Sequence, residues 1–400
     1  MRISSGSVFD TNVSMLNQQQ SSLLHTNQQL ASGRRVLTPA DDPASSANAL
    51  QVTQAEGTNN QYEVNRNAVK SSTGMAEAVL QSVSTLIEDV KTLAIQAGNG
   101  AMSESDRKTI ADEVQGRFDE LVGLANSTDG TGNYLFSGFQ GRTIPFVKTA
   151  LGVQYMGDDG HRMVQVSSSR KMASSDSGAD IFIRIKSGNG IFVTEATPTN
   201  TGTASIGQGL VTNANEVTGK TYKLTFTGPD TYDVTDGQGN AVSTGNTYNT
   251  GDAISLPGMQ FSIVGTPDAG DSFTISPSSN EGLFKTMSDL MAALRNQSPA
   301  GDAATAAIMA SNLSKALSGL DRGLDQVLTV RASLGSRLNE LDSLQATGED
   351  LNLQYKQTLS TLQDLDFNQA ISDLNRQTTS LTAAQKSFKQ VADLSMFNYM

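Results

Sequence analysis

Residues 311–344, SNLSKALSGLDRGLDQVLTVRASLGSRLNELDSL, place Leu313, Leu317, Leu320, Leu324, Val327, Arg331, Leu334, Leu338 and Leu341 at alternating steps of four and three, and only Arg331 breaks the apolar run. Such steps return each side chain to nearly the same side of a 3.6-residue helix. The run therefore predicts a helix with a narrow apolar seam that a second helix must cover. The seam resumes as Leu341, Leu344, Gly348, Leu351, Tyr355, Thr358, Leu362 and Leu365, with an extra three-residue step that predicts local overwinding. After a slip at 366–368 it continues through Ile371, Leu374, Thr378, Leu381, Gln385, Phe388 and Ala392, so two helical segments are expected to meet near Leu365. Helix rises about 1.5 Å per residue, so this part of the chain would reach on the order of 150 Å, which points to a rod and not to a compact domain.

The other end of the chain carries a matching pattern. Val13, Leu16, Gln20, Leu23, Asn27 and Leu30 recur at steps of three and four, and Ser32-Gly33 supplies a left-handed stop. The polar residues here are Gln, Asn, Ser and Thr with almost no charge, and the apolar stripe is too thin to fold alone. Residues 32–43, SGRRVLTPADDP, then form a non-helical elbow, with Asp42 placed to cap a helix that begins at Pro43. The Arg34-Arg35 and Asp41-Asp42 pairs fit either a capped loop or a charge-paired subunit contact, and the sequence leaves both open.

A regular heptad follows through Asn65, Val69, Ser72, Ala76, Val79, Val83, Leu86, Val90, Leu93 and Ala97, stopped by Gly98-Asn99-Gly100. Ser103-Glu104-Ser105-Asp106 reads as a capping box opening a helix with Ile110, Val114, Phe118, Leu121 and Leu124 on one side, so an antiparallel hairpin is expected. Between about Thr143 and Ser278 the period changes to two. Ile181–Ile185, Tyr222–Phe226, Tyr232–Val234, Phe261–Val264 and Phe273–Ile275 read as strands, separated by turns such as Gly228-Pro229-Asp230 and Asp236-Gly237-Gln238-Gly239. Helix returns with Leu283, Met287, Leu290 and Leu294 and is expected to stop at 296–299. The helical parts bracket the β part, so the two ends must pack on each other.

Composition narrows the chemistry. The net charge is −12 with no basic block, which argues against a nucleic-acid partner. Cysteine is absent, excluding disulfides, thiolate metal sites and Cys nucleophiles. The opening MRISSGSVFDTNVSML lacks the apolar core of a cleavable secretory signal, and no apolar run approaches the roughly 18 residues a membrane span needs, so neither is expected. His25 and His161 lie on different elements, and no HExxH is present. Gly219-Lys220-Thr221 has the end of a phosphate loop, but Ala214 stands where the motif needs glycine. Asp129-Gly130-Thr131-Gly132-Asn133 and Asp236-Gly237-Gln238-Gly239-Asn240 resemble calcium loops without the closing acid, and tight turns account for them. No nucleophile stands beside a base. The chain therefore reads as a non-enzyme, with no catalytic residue, cofactor or metal site.

The arrangement resembles the bacterial flagellin family. Arg2-Ile3-Ser4, Ser32-Gly33-Arg34-Arg35-Val36 and Asp41-Asp42-Pro43 are similar to its N-terminal signature. Asn133-Tyr134-Leu135-Phe136-Ser137-Gly138-Phe139 with Pro145-Phe146, Asp366-Phe367-Asn368-Gln369-Ala370-Ile371, and the ending Val391-Ala392-Asp393-Leu394-Ser395-Met396-Phe397-Asn398-Tyr399-Met400 are similar to its hook–filament junction branch. Residues 265–278 are similar to segments shared among hook-associated proteins. The resemblance covers about residues 1–145 and 280–400, and the β insert only loosely.

The resemblance implies a mainly α chain with an all-β insert: a long antiparallel coiled-coil rod of N- and C-terminal helices and an outer β domain. Residues 1–42 and 366–400 would be the inner terminal helices, 43–142 and 280–365 the rod, and 143–279 the β-rich outer domain. It implies a structural junction protein of the flagellum, assembled as a ring of copies between the first hook-associated protein and flagellin. The chain would be exported unfolded through the flagellar type III apparatus, without a cleavable signal, guarded by an export chaperone on its C-terminal part, and would end up extracellular. The expected subunit contacts are Val13, Leu16, Leu23, Leu30, Arg34, Arg35, Asp41, Asp42, Ile371, Leu374, Leu381, Phe388 and Leu394. Filament flagellin itself, a surface adhesin carried by the β insert, and a secreted hydrolase are the competing readings, the last weakened by the residue inventory.

Overall fold

The computed structural model describes residues 5–150, 152–295 and 303–393. Three helices come first, α1 (Ser5–Ser32), α2 (Pro43–Ala97) and α3 (Glu104–Ala125). Two hairpins, β1 (Phe146–Thr149) with β2 (Gly152–Tyr155) and β3 (Met163–Gln165) with β4 (Lys171–Ala173), precede the short helix α4 (Gly178–Phe182). Then come β5 (Phe192–Ala196), β6 (Ser205–Ile206), β7 (Leu210–Val211), β8 (Tyr222–Gly228), β9 (Thr231–Asp236), β10 (Ala241–Thr247), β11 (Ala253–Leu256), β12 (Met259–Val264) and β13 (Ser272–Pro277). The chain closes with α5 (Leu283–Arg295), α6 (Ala303–Gln363) and α7 (Phe367–Asp393). The helical ends and the β-rich middle match the sequence expectation. The chain divides into two compact units, one made from both chain ends, up to Val64 and from Ser343, and the other from Asn65 to Asp342.

In the second unit, α2 turns Val69, Thr73, Ala76, Leu80, Val83, Ile87, Val90, Ala94 and Ala97 fully inward. Spacing alone pairs the same anchors with Ser72, Val79, Leu86 and Leu93, one position away, and of these Leu86 is also fully buried. The stripe is wider than one seam because α2 is covered from two sides. Glu77 pairs with Arg331 at 2.9 Å and Lys91 with Asp321 on the α6 side, while Asp89 pairs with Arg117 of α3 at 3.3 Å. Arg331, the non-apolar member of the α6 seam, is thereby explained: its guanidinium reaches sideways to Glu77 and Gln81. The α3 capping box is present, Ser103 accepting from the Asp106 amide and Asp106 from the Ser103 amide. Helix α5 buries Leu283, Met287, Leu290 and Leu294, as its stripe predicts. Its expected stop at 296–299 lies outside the described residues. Gly323 lets α5 approach α6 closely, since a Cβ there would sit 2.5 Å from Leu283 Cδ1.

One strand expectation is corrected. The Ile181–Ile185 pattern predicts a strand, but residues 178–182 form α4, with the Ser177 hydroxyl accepting from the Ala179 amide. Ile181 and Phe182 are both fully buried, which consecutive strand residues with one wet face cannot be. Phe182 meets Phe136 at 5.6 Å and Phe146 at 5.4 Å in edge contacts, and Phe284 at 6.0 Å. The residues around β1–β4 and α4 therefore share the helical core. A separate core begins at Phe192 and runs to Ile275. It is covered by an antiparallel sheet ordered β10-β9-β8-β13-β5 and by a smaller one ordered β11-β12-β6, with β7 also on β12. Phe226 sits at its centre against Tyr232, Tyr248 and Phe273.

Helix α6 holds this middle region through polar contacts at backbone carbonyls. Arg322 donates to the Asn189 carbonyl at 2.6 Å, Ser318 to the Gly188 carbonyl at 3.0 Å, and Gln326 to the Asp180 carbonyl at 2.8 Å. Arg337 forks onto Asp176 at 3.0 and 3.1 Å. Phe182→Ala should destabilise this unit by about 3–5 kcal/mol through the cavity it leaves. Denaturant unfolding followed by circular dichroism checks this, with an earlier midpoint expected.

Candidate subunit interface

The unit made from the chain ends is built on α1 and α7, which run antiparallel. The Phe9 and Phe388 rings are 5.1 Å apart, and Gln19 Nε2 donates to Ser380 Oγ at 3.4 Å. Val13, Leu16, Leu23 and Leu30 lie on α1 as expected, yet each is only half-buried, as are Leu374, Leu381 and Phe388 on α7. Ile371, also expected in the contact stripe, is 49% exposed on this chain, and its neighbour Ala370 is buried. Leu394 lies outside the described residues. On α1 the polar position between Leu16 and Leu23 that turns inward is Gln19, not Gln20, and on α7 it is Gln377, not Thr378.

Beyond Leu341, α6 keeps alternating steps of four and three without the expected extra step, since Gly348, Asn352, Tyr355, Leu359 and Leu362 are all at least half-buried while Leu351 is 37% exposed. Hydrogen bonding explains the choice of Asn352 over Leu351. Asn59 Nδ2 of α2 donates to the Gly348 carbonyl and to Asn352 Oδ1, both at 2.7 Å, and Asn352 Nδ2 donates to Asn60 Oδ1 at 2.9 Å. Among the described residues of this unit, the buried apolar side chains are Val36, Ala49 and Ala370. None of its described leucines is fully covered, and Leu24 is 61% exposed. Two thin stripes facing each other leave part of each of these side chains wet.

The elbow between α1 and α2 lies against the break between α6 and α7. Arg35 N–H donates to the Gln363 carbonyl at 2.7 Å, and Leu365 N–H donates to the Gly33 carbonyl at 3.0 Å. Arg34 and Asp364 form the backbone bridge between them. Gly33 takes φ +69°, the left-handed stop foreseen for it, and a Cβ there would rest 3.6 Å from the Phe367 ring. The Arg35 guanidinium donates to the Leu362 carbonyl at 2.9 Å and to Asp42 at 3.2 Å. Asp42 caps α2 by accepting from the Ser45 amide at 2.9 Å. Contacts from the Ser45 hydroxyl and amide, then Arg35, hold its carboxyl down at about 2. Asp41 accepts from the Thr38 amide at 2.7 Å and the Leu37 amide at 2.9 Å, and His25 Nε2 lies 3.0 Å away. The Thr38 amide foremost keeps the Asp41 carboxyl below its ordinary value.

All four charged residues read from the sequence thus converge on one elbow, each through a bond within the chain. Gln363–Leu365, which complete the elbow, carried no signal beyond the break in the seam. His25 carried none at all. Elsewhere, Asp129 accepts from the Thr131 and Asn133 amides at 2.9 and 3.1 Å, and Asp236 from the Gln238 and Asn240 amides at 3.0 and 2.9 Å. These loops close on their own carboxylates.

Residues 3–141 match the bacterial flagellin N-terminal helical region, and residues 195–277 match the D2-like domain of flagellar hook-associated protein 1. The chain is 29% identical over 397 residues, 99% of both chains, to flagellar hook-associated protein 3 of Salmonella typhimurium. Its fold is similar to that of FlgL from Xanthomonas campestris, with a TM-score of 0.73 and 33% identity over 77% of this chain and 99% of that one. It is similar also to hook-associated protein 3 from Legionella pneumophila, with a TM-score of 0.74 and 33% identity over 78% of this chain and 98% of that one.

The elbow has a defined acid response. The folded value of Asp42 lies below the ordinary 3.8, so its cap contributes above about pH 4 and is lost as pH falls toward 2. The Ser45 amide resonance should titrate with a midpoint near 2, and in Asp42→Asn that titration should vanish. Arg35→Ala should speed amide exchange at Leu365.

Proposed function

This chain belongs to the flagellar hook-associated protein 3 family, and from that premise we propose that it is a subunit of the hook–filament junction, built into a ring of copies through its terminal helices. It is a structural flagellar protein and not an enzyme. The observation that carries the assembly reading is the unfinished core of the terminal unit: its leucines are half-wet, and small side chains are the ones it buries. Neighbouring copies that cover this surface would gain roughly 25 cal/mol for each Å² of apolar area removed from water. Interfaces of that kind that repeat around an axis generate rings or tubes.

In this reading residues 1–42 and 366–400 lie innermost, 43–142 and 280–365 form a coiled-coil rod, and 143–279 face outward. The paired breaks at Gly33–Arg35 and Gln363–Leu365 support the first of these limits. Val13, Leu16, Leu23, Leu30, Leu374, Leu381 and Phe388 supply the contact stripe, Ile371 joins it from the exposed side, and Leu394 extends it. Arg34, Arg35, Asp41 and Asp42 set the angle at the elbow. The partners are the first hook-associated protein on one side and flagellin on the other. A match between residues 195–277 and a hook-associated protein 1 domain supports kinship with the former. Export proceeds unfolded, with a chaperone on the C-terminal part. Among the described residues no helix is long and apolar enough to cross a membrane.

The match over residues 3–141 favours filament flagellin as a second reading. Gold labelling of whole flagella separates the two: a thin band at the filament base is expected, and label along the filament would reverse the choice. Leu374→Asp should abolish incorporation and motility while the unit from Asn65 to Asp342 keeps its thermal transition. Wild-type motility in that variant would count against assembly through α7.

A further inference from the structure

Two amide layers interrupt the apolar stripes of the terminal unit, and they differ in one respect. The layer between α2 and α6 closes on itself, since Asn59, Asn60, Asn352 and the Gly348 carbonyl satisfy one another at 2.7–2.9 Å. The layer between α1 and α7 does not. Gln19 gives its amide N–H to Ser380, but Gln19 Oε1 and Gln377 Oε1 are buried and accept no hydrogen bond among the described residues. The two glutamines line, with Met15, Gln18, Ser22 and Ser380, a cavity of about 320 Å³ with no charged group on its wall.

A buried carbonyl without a donor is unfavourable, so the layer selects a partner that brings N–H groups. A cation would bring them at the cost of its own desolvation, which favours an uncharged amide. Helix α1 itself offers such donors on its exposed side at Asn17, Gln18 and Gln20. It also exposes Met15 and Leu24 on either side of the layer, apolar groups that the same contact would cover. We propose that Gln19 and Gln377 form a recognition site for a second copy of this chain, whose α1 inserts an asparagine or glutamine amide between them and so fixes the axial register of neighbouring copies. Buried polar layers set register in this way because a slipped pairing strands the amide against apolar side chains. This inference rests on the ring reading above.

The test uses the full chain, which has no native cysteine. Gln18→Cys at the rim of the cavity should give cross-links between copies in oxidised flagella. Gln19→Met and Gln377→Met keep side-chain length and helix propensity but remove the carbonyls. Each should lower the cross-link yield and the incorporated copy number at least tenfold, with circular dichroism of the purified variant unchanged. The contact is uncharged, so the Gln18→Cys yield should not move between low and high salt. Gln19→Met and Gln377→Met incorporating like the unaltered chain, or Gln18→Cys giving no inter-copy product in flagella that contain it, would overturn the proposal. Absence of the unaltered chain from the junction would instead sink the ring reading.

Discussion

Two backbone hydrogen bonds, from Arg35 N–H to the Gln363 carbonyl and from Leu365 N–H to the Gly33 carbonyl, hold the terminal unit's two chain breaks side by side. Helix ends leave backbone donors and acceptors without partners, and here each break satisfies the other. That mutual satisfaction constrains everything beyond it. With the breaks side by side, the helices leaving them, α1 and α7, set out from one point and run along each other. Their antiparallel pairing then places Phe9 on Phe388 and Gln19 beside Ser380.

The two units contrast in how completely they are folded. From Asn65 to Asp342 the chain has a finished interior, with Phe136, Phe146 and Phe182 interlocked and arginines of α6 fastened to the backbone carbonyls of Asn189 and Ala173. The terminal unit has helices with matched faces but little between them. Its free energy is thus open to whatever covers those faces, because a partner that binds the ordered form draws the folding equilibrium with it. A chain divided in this way can keep one part independently stable while the other responds to assembly.

Much of this was legible in the residues. The cap at Asp42, the box at Ser103 and Asp106, the left-handed Gly33 and the break near Leu365 each follow from local chemistry that no tertiary contact overrode. The errors share one physical cause. Once an anchor such as Val69 or Leu374 is fixed, the positions three and four residues away both lie near the seam, and only the partner decides between them. Hence Leu80 turned inward where Val79 had been paired with the anchors, Ile87 joined the buried Leu86, Ala370 lies deeper than Ile371, and Asn352 displaced Leu351 because Asn59 was waiting for it. The α4 segment failed for a different reason. Ile181 and Phe182 alternate with nothing in particular, and their burial is set by Phe136, Phe146 and Phe284, which lie far away in sequence. The inward glutamines of α1 and α7 were hidden among many others in an amide-rich sequence.

That amide richness has a consequence for the chain before it is built in. The run Asn17-Gln18-Gln19-Gln20-Ser21-Ser22, with Asn27-Gln28-Gln29 a turn and a half later, holds no charged side chain. As a helix against α7 its backbone is fully engaged. Stretched out, the same run has the composition that stacks into cross-β ladders, with neither like-charge repulsion nor a proline to interrupt it. Every interval between synthesis and docking is therefore a period of exposure to self-adhesion. A short interval, or a cover over the segment throughout it, limits that self-adhesion.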